Sequence, residues 1–211
     1  MIEGVDISKY NPVNDWKKLK NNTDFVIIKL GGKNKNGLYI DRNFESNFKN
    51  AHLYYKKIGV YWFVGETTKN ELLTEINFLD TELRKQAKNN LYCTLPVFLD
   101  VELKTQYFSK NFANSLTYCL EILENLGYFA GLYTYKSFYD KVFNQNFNKR
   151  FFTWIADYRL KYQKSYYNSD FKALQYSSTG TVPGISGRVD RDYIFDSPSN
   201  ININKKFNLI K

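Results

Sequence analysis

Short runs of apolar, β-branched and aromatic residues alternate with amphipathic segments along most of the chain. Such runs, bounded by polar and turn-forming residues, have the length and composition of buried β-strands. The pattern predicts eight strands, at residues 4–8, 25–30, 58–64, 95–102, 130–135, 151–158, 173–178 and 187–195.

Between the early strands, apolar residues recur at helical spacing, which predicts helices at 41–57, 70–88, 109–126 and 136–147. Asn70 is a candidate N-cap and Gly127 a candidate C-terminal stop. The glycine-rich segment 31–37 lacks the spacing of a phosphate-binding loop and is interpreted as a plain loop. After the sixth strand the helical pattern disappears. The order of elements therefore predicts an α/β protein, a (β/α) barrel that loses its last helices.

Length and composition fit one globular domain, with 211 residues, 43% hydrophobic residues, 18 Tyr and 17 Phe. We expect the barrel to span residues 1–198 and a polar, basic tail or linker stub to occupy 199–211. No apolar run approaches the roughly 20 residues of a membrane-spanning helix. The first residues lack a secretory signal pattern. We therefore expect no membrane insertion and synthesis in a cytoplasm, so that action on a cell wall would follow release.

The formal net charge of +9 favours a polyanionic partner. The basic residues are scattered in pairs along the chain, which is more typical of solvated surfaces than of a nucleic-acid site. Cys93, Cys119 and the single histidine, His52, have no metal-ligand spacing. We therefore expect free thiols, a packing or surface role for His52, and no metal, cofactor or nucleic-acid partner.

The strand at 95–102 reads LPVFLDVE and ends in two carboxylates, Asp100 and Glu102. Side chains two residues apart on a strand point to the same face. Burying two acids together requires partners or shifted pKa values. Pairs of acids held in this way catalyse glycoside hydrolysis, although a strand that simply runs out into solvent would show the same motif. The motif alone leaves both interpretations open.

Further carboxylates fall at the ends of other predicted strands. Asp6 lies near the end of the first strand, and Asp190 lies in the eighth, which neighbours the first when a barrel closes. Because barrel chemistry sits at the C-terminal ends of strands, these two acids would face the same cleft as Asp100 and Glu102. Crowding would separate their pKa values and allow an acid and a base to coexist.

Aromatic residues lie on strands that flank the acid pair. Tyr61 and Phe63 share one face of the third strand, Tyr133 and Tyr135 share one on the fifth, and Trp154 lies on the sixth. Each one taken singly is more typical of a core position. As a group, their placement indicates a groove that packs sugar rings.

Several segments together resemble one known family. GVDIS, FVIIK, GVYWF, LPVFLDVE, GLYTYKSF, TWIADY and LQYSSTGTVPGISGRVD occur in an order similar to that of the glycoside hydrolase family 25 muramidases, a family of lysozymes that includes phage endolysins and bacterial autolysins. The resemblance spans about residues 4 to 195.

The resemblance implies a flattened (β/α)5(β)3 barrel that cleaves the β-1,4 bond between N-acetylmuramic acid and N-acetylglucosamine in peptidoglycan. It assigns Glu102 as general acid, Asp100 as partner carboxylate, and Asp6 and Asp190 as further acids of the cleft. It also places Tyr61, Phe63, Tyr133 and Trp154 along the sugar groove. The expected partners are peptidoglycan glycan strands and anionic wall polymers such as teichoic acids.

A phage endolysin is the preferred interpretation. A bacterial autolysin of the same family, a non-catalytic wall-binding barrel and a chitinase-like barrel are the alternatives. The chain departs from the family pattern at three places: Lys-Leu-Gly-Gly at 29–32, Tyr-Trp-Phe at 61–63 and Asp-Arg-Asp at 190–192. The four acids assigned to the cleft are retained, so these departures concern details of the groove.

Overall fold

The computed structural model describes residues 1–143, 147–159 and 170–195. The strands are β1 (Ile2–Ile7), β2 (Phe25–Asn34), β3 (Gly37–Ile40), β4 (Ile58–Phe63), β5 (Val97–Val101), β6 (Ala130–Tyr135), β7 (Phe152–Ala156), β8 (Ala173–Gly180) and β9 (Val189–Ile194). The helices are α1 (Trp16–Asn21), α2 (Phe44–Tyr54), α3 (Lys69–Ala87), α4 (Lys104–Phe108), α5 (Phe112–Asn125), α6 (Lys136–Val142) and α7 (Phe147–Arg150).

Eight strands close a barrel in the order β1-β9-β8-β7-β6-β5-β4-β2, and pairing of β1 with β2 completes the ring. Every barrel pairing is parallel except those of β9, which runs antiparallel to β8 and to β1. Helices follow β1, β3, β4, β5 and β6, whereas β8 leads into β9 without one. The predicted barrel that loses its last helices is confirmed.

Two apolar cores follow from the alternation of side chains along the strands. One fills the barrel interior and includes Phe25, Ile27, Phe98 and Phe152. The other lies between the strands and the surrounding helices. Large side chains fill this interior, and a cavity opens where the inward-facing residues become polar, towards the C-terminal strand ends.

The interpretation of 31–37 as a plain loop is wrong. β2 continues to Asn34 and turns into β3, with Gly31 paired to Ile40 and Gly32 to Tyr39. A Cβ at Gly31 would collide with the carbonyl oxygen of Tyr39. Glycine therefore lets the hairpin strands approach closely. The composition of this segment is also typical of a loop, because glycine and asparagine are the residues that turns require.

Helix boundaries differ from prediction by a few residues. Thr68, and not Asn70, precedes the first turn of α3, whereas Gly127 adopts φ 95° directly after α5, as predicted. The predicted tail at 199–211 lies outside the described residues. Within the part of the chain that is described, no helix is long and apolar enough to cross a membrane.

The cysteines and the histidine occupy packing positions. Cys93 and Cys119 are free, and burial raises the pKa of each thiol to about 12. The ring of His52 contacts the carbonyl oxygens of Phe48 and Tyr92 at 2.7 and 3.0 Å. These groups lie in the fold as expected from the sequence.

Candidate active site

A cavity of about 240 Å³ opens at the C-terminal ends of the barrel strands. Asp6, Asp100, Glu102 and Asp190, the acids predicted from sequence, all line it. The aromatic residues predicted to form the groove line it too: Tyr61, Phe63, Tyr133 and Trp154. The structure thus brings every predicted site residue to one place, while their chemical roles remain predictions.

Strand register fixes how the acids face one another. Asp6 of β1 lies directly opposite Asp190 of β9 in the antiparallel ladder. Asp100 of β5 aligns with Phe63 of β4 on one side and with Tyr133 of β6 on the other. Because aligned residues on neighbouring strands point to the same face, carboxyls and aromatic rings share the interior surface.

Gln175 of β8 organises one wall of the cavity. Its Nε2 donates to Asp6 Oδ2 at 2.7 Å. Its Oε1 accepts the hydroxyl protons of Tyr133 at 2.8 Å and Tyr158 at 2.6 Å. This side chain is buried, so both ends of its amide are held by the protein. Asp6 is therefore kept in one orientation by a hydrogen-bonded network that spans three other strands or loops.

Trp154 forms part of the floor of the cavity. Its indole N–H donates to Asp192 Oδ1 at 3.0 Å, and its ring lies 4.4 Å from the Tyr133 ring, centroid to centroid. Only 1% of Trp154 is exposed. Its position is therefore fixed both by packing and by a hydrogen bond to a carboxyl group.

Glu102 stands nearer to solvent than Asp100. Burial raises the pKa of the Glu102 carboxyl, while the hydroxyl of Tyr135 and the charge of Lys29 oppose that rise. Glu102 is thus a half-buried acid of raised pKa at the mouth of the cavity.

Asp100 lies deeper, with 4% of its surface exposed. Burial, and then the neighbouring charge of Glu102, raises its pKa well above the ordinary value. Its Oδ1 is buried and accepts no hydrogen bond from any residue that the structure describes. A buried acceptor without a donor is costly, unless a ligand supplies that donor.

The other two acids are also perturbed. Burial, followed by repulsion from Asp190, raises the pKa of Asp6 well above the ordinary value. Burial and the charge of Glu102 raise that of Asp190 to about 6. The Lys29 Nζ lies 5.3 Å from the Tyr61 ring centroid and 5.2 Å from that of Phe63. The site therefore retains protons at pH values where isolated carboxyls have lost them.

Tyr135, which the sequence pattern groups with Tyr133 on one face of its strand, also lines the cavity. Sequence reasoning missed four residues of the wall, namely Lys29, Tyr158, Gln175 and Ser178. Gln175 carried a usable signal, because it is two residues beyond the buried Ala173 and alternation along β8 points it inwards. Tyr158 lies past the end of β7, where no periodicity applies.

Within the described residues, no group of three or more His, Cys, Asp or Glu could hold a metal ion. The arrangement offers instead a carboxyl of raised pKa at the cavity mouth, a second acid beneath it and aromatic walls. It can protonate the leaving oxygen of a glycoside and stabilise the positive charge that develops on the sugar ring as the bond breaks. This is the chemistry of glycoside hydrolysis.

Comparison with known proteins agrees with this chemistry. The family described as "Glycosyl hydrolases family 25" matches residues 5–185. No individual curated protein gives a significant match.

Solved structures share the fold at low sequence identity. The catalytic domain of the endolysin ply40, from a Listeria monocytogenes bacteriophage, is 22% identical with a TM-score of 0.80, covering 97% of this chain and 98% of its own. The spore cortex lytic enzyme SleM of Clostridium perfringens is 18% identical with a TM-score of 0.80, covering 94% and 68%.

The modular autolysin LytC of Streptococcus pneumoniae is 22% identical with a TM-score of 0.73. The match covers 90% of this chain and 46% of LytC, so the chain spans about half the length of that protein. The family match, the barrel and the acid-lined cavity at its C-terminal face lead to one conclusion: the chain belongs to glycosyl hydrolases family 25.

Proposed function

We propose that the protein is a peptidoglycan hydrolase, an N-acetylmuramidase that cleaves the β-1,4 bond between N-acetylmuramic acid and N-acetylglucosamine. One observation carries the proposal: four carboxyls from three strands converge on one aromatic-lined cavity in a chain of family 25. A groove of this kind suits a polymer of N-acetylated sugars, whose C–H faces pack on aromatic rings.

In the proposed mechanism Glu102 is the general acid. Its carboxyl is partly exposed and lies beside the Tyr135 hydroxyl, so its proton can reach the glycosidic oxygen of a bound glycan. Proton transfer makes that oxygen a neutral leaving group as its bond to the anomeric carbon breaks. Asp100, beneath it, is the partner carboxylate; the charge of Lys29 favours its ionised form, against the larger effect of burial.

Two routes then complete the reaction. In the one that we favour, the acetamido oxygen of the substrate attacks the anomeric carbon, while Asp100 orients the acetamido N–H. Water opens the cyclic intermediate, giving one proton back to Glu102, with net retention. The buried Asp100 Oδ1, which lacks a donor among the described residues, supports this route because an amide N–H would satisfy it. In the other route a carboxylate activates water directly and the anomeric centre inverts.

Analysis of the freshly released anomer by NMR separates the two routes. Retention is the expected result, and an inverted product would exclude substrate assistance. In either route we assign Asp6 and Asp190 to holding the other two acids and the incoming water. Tyr61, Phe63, Tyr133 and Trp154 are assigned to binding the sugar rings.

For the biological setting we propose a phage endolysin released onto the bacterial cell wall, with an autolysin of the same family as the alternative. Residues 1–198 would form the catalytic barrel and 199–211 a tail or linker stub. The net charge of +9 supports attraction to anionic wall polymers such as teichoic acids, which salt would weaken.

Release of soluble fragments from purified Gram-positive cell walls tests the proposed acid. Wild type is expected to clear the walls, and Glu102→Gln to fold normally but lose activity by at least about 10²-fold, since general acid catalysis contributes that much. Glu121→Gln, on the exposed face of α5, is the matched control. Near-full activity in Glu102→Gln would overturn the assignment, and wall binding without release would indicate a binding module.

A further inference from the structure

Asp192 is a fully buried carboxyl next to the candidate site, and the mechanism above does not use it. It lies on β9, two residues after Asp190 and opposite Gly4 of β1. Gln175 of β8 aligns with it on the other side. Because β9 runs between β1 and β8, the hydrogen bond from Gln175 to Asp6 crosses the strand that carries Asp192.

The two oxygens of Asp192 have different surroundings. Oδ1 accepts the indole N–H of Trp154 at 3.0 Å. Oδ2 is buried and accepts no N–H or O–H from the residues that the structure describes. Asp192 shares one side of β9 with Asp190, which lies opposite Asp6, so the Asp192 carboxyl is directed to the same side as that of Asp6. Two ionised carboxylates have only acceptors, so a hydrogen bond between Asp192 and Asp6 needs one proton.

The surroundings place that proton on Asp192. Asp6 accepts a hydrogen bond from Gln175, which favours its charged form against the effect of burial, and it lines the cavity. Asp192 is deeper and does not line the cavity.

The charged neighbours of Asp192 are acids. Burial raises its pKa, and the negative charges of Asp6 and Asp190 raise it further, while the Trp154 hydrogen bond opposes the shift. Arg191, the adjacent residue in the chain, lies on the alternate side of β9 and pairs with Glu3. Its cation is therefore directed away from the Asp6–Asp192 pair.

We propose that Asp192 is a positioning residue: its side chain is a neutral carboxylic acid that donates a hydrogen bond to Asp6 and, with Gln175, fixes the orientation of the Asp6 carboxylate. Two donors on different strands then hold Asp6 opposite Asp190. The consequence for catalysis rests on the proposed function, whereas the position of the proton does not.

The proposal has a consequence for alkaline pH. Losing the Asp192 proton would leave two buried carboxylates side by side, and their repulsion would displace Asp6. Activity should therefore decline on the alkaline side as Asp192 ionises. Asp192→Asn has nearly the same shape and offers an amide N–H that does not titrate, so its activity should persist to higher pH than that of wild type.

The direct test is ¹³C NMR of protein labelled at the aspartate carboxyl carbons, without substrate. We expect a neutral-acid signal near neutral pH that disappears in Asp192→Asn and persists in Asp100→Asn. If no such signal exists, or if all neutral-acid signals survive in Asp192→Asn, the proposal is overturned. Because no substrate is present, this failure is distinct from failure of the proposed function, which would appear as an inactive wild type.

Kinetics on peptidoglycan tests the positioning role. Asp192→Leu keeps the branched shape, with a larger volume, but removes the donor to Asp6 and the acceptor of the Trp154 indole. We expect kcat to fall by about 10²-fold with KM little changed, as for a misplaced catalytic group. Asp192→Asn should recover most of that loss and extend the alkaline limb of the pH profile. Equal activities of the Leu and Asn variants, each checked for folding by circular dichroism, would contradict the role.

Discussion

The side-chain amide of Gln106 donates a hydrogen bond to the carbonyl oxygen of Val64 at 2.8 Å, which joins the loops that follow two adjacent barrel strands. Its Oε1 accepts the backbone N–H of Leu103, the residue after Glu102, at 2.9 Å. Gln106 is fully buried. The chain beside the proposed general acid is thus held by a side chain that lies outside the cavity.

Replacing Gln106 with Met should therefore affect both stability and activity. The substitution leaves Leu103 N–H and the Val64 carbonyl buried without partners, which costs about 1–3 kcal/mol per group. Urea unfolding would measure the loss, and wall-digestion kinetics should show a lower kcat. Gln86→Met, at a buried position of α3, is the matched control and should keep its activity. A normal kcat in Gln106→Met would show that the hydrogen bonds of Gln106 are not needed for catalysis.

Glu75 of α3 should make stability depend on pH. It accepts Trp62 Nε1–H at 2.7 Å and the backbone N–H groups of Gly65 and Glu66, yet burial raises its pKa to about 7. The folded protein holds this proton more tightly than the unfolded chain, so protonation of Glu75 adds to the free energy of unfolding. This stabilisation is complete below about pH 4.3 and is lost as pH rises through 7.

Glu75→Gln tests that linkage. Between about pH 4 and 8 the free energy of unfolding should fall less in the variant than in wild type, because glutamine does not titrate. It should also be less stable throughout, by about 1–3 kcal/mol, since its amide N–H₂ cannot accept all the donors that converge on the carboxylate. Thermal melts across this pH range give the measurement. An identical pH slope in both proteins would show that Glu75 is not the titrating group.

Lys29 should set the pH optimum. Its charge lowers the pKa of both Asp100 and Glu102, against the larger effect of burial. Lys29→Met should therefore raise both pKa values. Asp100 would ionise, and Glu102 would lose its proton, only at higher pH, so the whole profile of kcat/KM should move to the alkaline side. Lys29→Arg keeps the charge and should leave the optimum in place, and an acid-side shift in Lys29→Met would contradict the assignment.

Asp100→Asn should stabilise the protein while it inactivates it. Burial and the charge of Glu102 raise the pKa of Asp100, so the folded state loses stability as this group ionises at rising pH. Asparagine removes the buried charge. We expect a higher Tm at neutral pH, by about 2–4 °C for each kcal/mol gained, together with a large loss of kcat. A lower Tm at neutral pH would show that the charge is compensated in the fold.

The barrel was predictable because each strand and helix has its own apolar period, and the order of elements dictates closure. The acids at strand ends were predictable for the same reason. The β2–β3 hairpin was not, because Gly31 and Gly32 are used there for close approach of backbones, which composition cannot distinguish from a loop.

The polar network around Asp6 was beyond sequence reasoning. Gln175, Asp192 and Tyr158 reach the site through side-chain hydrogen bonds between residues distant in sequence. Whether an inward-facing Asp or Gln is a catalyst, a support or a core residue depends on which partner it meets. Only the register of β9 against β1 and β8 supplies that information.

The central claim is the bond that the enzyme breaks. Purified Gram-positive peptidoglycan should be digested, the products reduced with borohydride, and the new ends identified by mass spectrometry. The account predicts fragments that end in reduced N-acetylmuramic acid, absent from a digest with Glu102→Gln. Fragments that end in reduced N-acetylglucosamine, or no release of fragments at all, would contradict it.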